Sequence, residues 1–183
     1  MKSLQGMLLI ASPRLVDPNF LRSVLLMVQH GEEGALGLIL NRPLEIPIQA
    51  AWEQVSQSPC HASGSLFQGG PCDGPMMVLH TDESLAQMQV MRGVYFSTQR
   101  DAIEELVTET GRAAKFFVGY AGWGPGQLEG EIQGGGWLIS PATSEQIFNG
   151  DDEVWNDLRK LATRSAAYPW IDPATFPTDP SAN

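Results

Sequence analysis

Over the first hundred residues the apolar positions come in short unbroken runs, punctuated by Gly, Pro and Asn. Residues 7–12, closed by Pro13, predict a strand. Residues 24–28 are apolar at every position, so they predict a strand buried on both faces. That run ends at Gln29-His30. Gly31-Glu32-Glu33-Gly34 then leads into a second run, 36–40, which ends at Asn41-Arg42-Pro43. Two apolar runs around a short turn with Gly at both ends predict a β-hairpin. Residues 66–67 and 76–80 flank a Gly/Pro-rich stretch and predict a second strand pair. Residues 94–96 predict a further short strand.

Helical spacing enters between these runs and takes over after them. Pro47 opens a helix over 47–55, with Ile48, Ala51, Trp52 and Val55 on one face. Thr98 and Asp101 mark the start of a helix that Gly111 stops, with Ile103, Leu106 and Val107 apolar. Residues 115–120 and 137–139 predict strands, 125–132 a short helix, and 143–164 one or two helices. Strands first and alternation later argue for one α+β domain over residues 1–165 with a mixed sheet. The tail, 166–183, carries four prolines and is expected to be irregular.

Composition narrows the class. The chain has 183 residues, 43% hydrophobic and 17% charged, as expected of a soluble globular domain. No apolar run approaches the ~20 residues that span a bilayer. The apolar start at 7–11 is too short for a signal peptide, which predicts a cytoplasmic protein without a membrane partner. Net charge is −10. Residues 1–100 hold six basic and eight acidic side chains, residues 101–183 five and thirteen. The acidic second half opposes phosphate backbones, so charge does not favour nucleic acid as a partner. Any such surface would have to use Arg14, Arg22 and Arg42.

The candidate chemistry is sparse. Residues 119–132 read GYAGWGPGQLEGEI. The glycines suit a sharp strand-to-helix corner. The amides of Gly126, Gln127 and Leu128, at the helix start beyond Pro125, form a candidate anion-binding turn. Neither a phosphate loop nor a dinucleotide fingerprint is present. Glu129 and Glu131, two residues apart, point to different sides of a helix and do not make an acid/base pair. Cys60, His61, Cys72 and His80 have zinc-ligand chemistry, but their spacing matches no zinc pattern, so no metal or other cofactor is expected. No G-x-S-x-G elbow accompanies the three histidines. The densest polar set belongs to the first hairpin: Asp17, Asn19, Arg22, His30, Asn41 and Arg42. Antiparallel pairing should bring Arg22 beside Asn41-Arg42 and leave His30 at the far end. A salt link from Asp17 to one of these arginines is expected, and a recognition surface is the alternative use of the set.

Five blocks carry a resemblance: PRLVDPNFLRSV (13–24), HGEEGALGLILNRPL (30–44), GGP (69–71), LHT (79–81) and the stretch 119–132. In this order they resemble the YqgE/AlgH family of bacterial proteins. The resemblance implies an α+β fold whose branched sheet closes into a pseudo-barrel, and a cytoplasmic location. One member's name records a proposed role in transcriptional regulation, and no catalytic role comes with the family. Asp17, Asn19, Phe20, Arg22, His30, Asn41, Arg42, Gln127 and Glu129 fall on its signature positions. Cys72 departs from it, standing where the family has an aliphatic residue. The ending TFPTDPSAN departs as well.

These readings converge on a binding or regulatory protein rather than an enzyme, with a protein partner and a monomeric or weakly self-associating state. The alternative is an enzyme or small-anion-binding protein that uses the helix start after Pro125.

Overall fold

The computed structural model describes residues 3–109, 111–149 and 155–160. The chain forms β1 (Met7–Ala11), β2 (Val24–Gly31), β3 (Gly34–Ile39), β4 (Pro43–Pro47), α1 (Ile48–Glu53), β5 (Ser65–Gln68) and β6 (Met77–His80). There follow β7 (Met88–Met91), β8 (Val94–Ser97), α2 (Arg100–Thr108), β9 (Ala114–Val118) and β10 (Ala121–Trp123). The last elements are α3 (Gln127–Gln133), β11 (Trp137–Pro141) and α4 (Ser144–Asn149), with residues 155–160 also helical. The expected irregular tail lies outside the described residues. Among those described, no helix is long and apolar enough to cross a membrane.

The strands make two sheets, ordered β10-β3-β2-β1-β11 and β4-β5-β9-β6-β8-β7. All pairs are antiparallel except β5 with β9, so the second sheet is mixed. The architecture is α+β, as expected, but both sheets keep open edges and the expected pseudo-barrel does not close. The predicted strand pair at 66–67 and 76–80 is also corrected. β5 and β6 do not pair with each other, because β9 lies between them and bonds to both.

Alternation along each strand divides the apolar residues among three layers. Leu8, Ile10, Leu26 and Leu38 face Leu79, Phe96 and Phe117 between the sheets. Leu9, Leu25, Met27 and Ile39 line the outer face of the first sheet, covered by Leu128 of α3 and by Phe20. Val78 and Phe116 line the outer face of the second, under Ile48 and Trp52 of α1 and Ile103 and Leu106 of α2. Elements on both outer faces explain why β1 and β2 read as unbroken apolar runs even though they pair antiparallel.

The sheets are stitched where the chain passes between them. It leaves the first sheet after Ile39 and joins the second at Pro43; it returns between Val118 and Ala121. The loop after β5 crosses at the same place. Ile39 N–H donates to Gly69 O at 2.8 Å, and Gly69 N–H donates to Val118 O at 2.9 Å. Cys72 and Tyr120 exchange two backbone bonds of 3.0 Å. A Cβ on Gly70 would overlap the backbone of Tyr120 and Ala121, so only glycine fits there.

Candidate functional site

The mouth of the β2–β3 hairpin is built around one unusual residue. Arg22 has φ of 58°, and no other non-glycine residue among those described has positive φ. Holding a side chain there costs about 1–3 kcal/mol and requires surrounding structure to enforce it. Asn41 supplies that enforcement. Its Oδ1 accepts the Val24 N–H at 2.9 Å and its Nδ2 donates to Arg22 O at 3.0 Å. Arg42 Nη2 donates to Leu21 O at 3.3 Å. The proximity of Arg22 to Asn41-Arg42 is therefore as antiparallel pairing requires.

Asp17 does something other than expected. Its Oδ1 accepts the Asn19 N–H at 2.8 Å and shapes the turn. It makes no ion pair with Arg22 or Arg42. Burial lowers the Arg42 pKa, and the field of Asp17 only partly offsets this. The reason is local: the short Asp17 side chain is spent on the backbone two residues ahead.

Around this mouth the surface is apolar and basic. Val16 is 85% exposed and Leu21 53%. The Arg22 guanidinium lies 5.2 Å from the centre of the Trp155 ring, and that of Arg159 the same distance from it. Trp155 is itself fixed, its indole N–H donating to Ala11 O at 2.9 Å. The 143–164 pattern marks Trp155 only as an inward-facing helix residue, and neither Trp155 nor Arg159 was among the candidate site residues, because the chain does not show which loop their helix rests against.

His30, at the far end of the hairpin, meets α3. Its Nδ1 accepts the Leu4 N–H at 3.1 Å, so Nε2 carries the proton and donates to Glu129 Oε1 at 3.0 Å. The His30 side chain is 5% exposed and that of Glu129 26%. One imidazole thus ties the N-terminal segment, the hairpin and α3 together. Glu131, two residues on, points elsewhere. Its Oε2 accepts from the indoles of Trp123 at 3.0 Å and Trp137 at 2.8 Å, and its Oε1 from Gln127 Nε2 at 3.2 Å. Phe20 stacks on Trp123, with centroids 6.0 Å apart, and meets Trp137 edge-on at 5.5 Å. Sequence reasoning missed this knot of Glu131 and aromatic residues, in which Phe20 joins Trp123 and Trp137 from the far end of the chain.

The helix start is less open than expected. Gly126 sits at φ 74° as the N-cap of a seven-residue helix. The Gln127 N–H is taken by Gly124 O at 3.1 Å, and the Gln127 side chain accepts the Gly124 N–H at 3.1 Å. Of the three amides in the candidate anion turn, at least that of Gln127 has an internal partner. The zinc-like residues do not converge. Cys60 and His61 lie beside α2, Cys72 at the crossing and His80 inside the second sheet. Among the described residues no group of three or more His, Cys, Asp or Glu is placed to hold a metal ion. Burial raises the Cys60 thiol pKa, away from the reactive thiolate. The arrangement offers contact surface at the hairpin mouth and internal clasps elsewhere.

The AlgH-like family model matches residues 8–166. A UPF0301 protein of Myxococcus xanthus is 39% identical over 161 residues, which cover 85% of this chain and 89% of that protein. One from Ruegeria pomeroyi is 38% identical over 167 residues, covering 86% and 91%. The solution structure of the AlgH protein from Pseudomonas aeruginosa superposes with a TM-score of 0.72 at 30% identity, covering 93% of this chain and 91% of that one. With the family model spanning most of its length, the chain belongs to the AlgH-like family.

Proposed function

We propose that this protein is a cytoplasmic, non-catalytic binding protein that acts by docking a protein partner on the hairpin mouth formed by residues 13–22 and Asn41-Arg42. The observation that carries this reading is Arg22. Its strained backbone is enforced by Asn41, and it is exposed on a segment that also exposes Val16 and Leu21. Strain that the fold works to maintain concentrates at functional positions. The other polar signature residues favour structure over turnover: both nitrogens of His30 and both side-chain polar atoms of Asn41 have internal partners. A regulatory role of the kind proposed for one family member would then work through this docking.

A photo-crosslinking residue placed at position 16 in living cells tests the reading, with position 55 as control. Val55 is 59% exposed but distant in sequence from the mouth. Discrete protein adducts at 16, absent at 55 and lost in Arg22→Gly, are expected. Adducts indifferent to Arg22, or none at 16, would overturn it.

A further inference from the structure

The hairpin mouth gathers arginines on an acidic chain. The chain carries 21 acidic side chains against 11 Lys and Arg, so carboxylates are in excess. Arg112 shows the result elsewhere: it pairs with Asp82 at 2.9 Å, Glu105 at 3.1 Å and Glu109 at 3.0 Å. Arg22 and Arg159 make no ion pair with any carboxylate among the described residues; the same is true of Arg92, Arg100 and Arg14, whose Nη1 lies near Gly135. The Arg22 and Arg159 guanidiniums lie 5.2 Å from the same Trp155 ring, a contact that leaves the N–H edge of exposed Arg22 able to donate, whereas Arg159 Nε is buried without a partner and only its terminal nitrogens are left to do so. Arg42 joins them through its bond to Leu21 O. Val16 and Leu21, on the same 13–22 segment as Arg22, are exposed.

Resting on the docking reading above, we infer that the partner presents an acidic segment interleaved with aliphatic side chains, its carboxylates meeting Arg22 and Arg159 and its apolar residues meeting Val16 and Leu21. The charge is complementary only locally, since the molecule as a whole is at −10. That overall charge disfavours a long polyanion such as duplex DNA, which would extend past the mouth onto acidic surface. The aromatic residues nearest the mouth also favour a peptide over a single-stranded nucleic acid. Phe20 is packed on Trp123 and Trp137, and Trp155 already meets two guanidiniums, so neither of these rings is open for base stacking.

Fluorescence anisotropy on the full chain tests this with a labelled peptide of repeating Glu-Glu-Leu. Saturable binding that weakens as salt rises is expected. Charged hydrogen bonds of this kind make an anchor worth at least about tenfold in affinity. Arg22→Gly should therefore weaken binding by about that factor. It should melt no lower than the parent, because glycine accepts φ 58° without strain. The Val16→Ser, Leu21→Ser double variant should weaken binding too, and Val55→Ser should not. Equal binding of a Lys-Lys-Leu peptide, insensitivity to Arg22→Gly, tighter binding of random duplex DNA, or no saturable binding overturns the inference. If position 16 still crosslinks an Arg22-dependent partner in cells, the docking reading stands and only the partner's chemistry is wrong.

Discussion

Replacing Gly70 by alanine should damage this fold more than any comparably small change on its surface. The added Cβ would lie inside 3.0 Å of Tyr120 C, Tyr120 O and Ala121 N, whereas ordinary contact begins at 3.4 Å. The atoms that must move are backbone, and they belong to the segment carrying the chain from β9 into β10. That segment is held by the paired bonds between Cys72 and Tyr120 and continues directly into the β10–β3 pairing. Forcing an extra methyl into packed structure costs about 1–3 kcal/mol. Losing the two Cys72–Tyr120 bonds adds about 1 kcal/mol each. A total of about 3–5 kcal/mol lowers the melting temperature of a domain this size by about 6–20 °C. Circular dichroism melts of Gly70→Ala and Gly122→Ala make the comparison. At Gly122 the new Cβ meets Tyr120 Cε2 at 3.1 Å, the far end of a side chain that can turn aside. A Gly70→Ala protein melting within about 2 °C of the parent, or above Gly122→Ala, would show that the crossing yields freely and that this reasoning is wrong.

Other consequences are checked as directly. His80 is fully buried and neither ring nitrogen has a hydrogen-bond partner; burial lowers its pKa from 6.5, with Asp82 opposing. The unfolded chain therefore takes up the proton first, so stability should fall as pH drops below about 6.5. Subtracting the urea-unfolding profile of His80→Leu should isolate that slope; identical profiles would refute it. Glu131→Ala strands the indole N–H groups of buried Trp123 and Trp137, at a cost of about 2–4 kcal/mol and with a shift in tryptophan emission. An unchanged spectrum and midpoint would count against that knot. A double-mutant cycle of His30→Ala and Glu129→Ala should return a coupling of about 1–2 kcal/mol, and a value near zero would mean the clasp contributes nothing.

What the sequence makes legible follows from where the information lies. The β2–β3 hairpin is readable because both strands and their turn sit within 24–39, and antiparallel geometry alone places Arg22 beside Asn41. β4 is hidden by prolines at both its ends, and β10 by the glycines that suggest only a corner. The misplaced pairing of 66–67 with 76–80 has a different origin. β9, which separates them, is contributed by residues 114–118, and nothing local announces an inserted partner. The candidate site divides in the same way. Its hairpin members were readable, while the bond from His30 to Glu129 spans 99 positions and was not. The position of Trp155 against Arg22 likewise depends on packing the sequence does not encode locally.

The pairing of β1 with β11, which sets Met7 opposite Pro141, also governs the order in which the chain can assemble. As the chain is synthesised, β2 and β3 can zip within their own hairpin, and β1 can lie along β2. The other side of β1 has no partner until residues 137–141 have emerged. The second sheet waits in a similar way, because β5 and β6 are joined only through β9. Closing such long loops is slow, and the half-built sheets present unpaired, apolar edges in the interval. Refolding from denaturant should accordingly be slow for a domain of this size. Crowding and temperature during synthesis, more than the stability of the finished protein, would then set its yield in the cell.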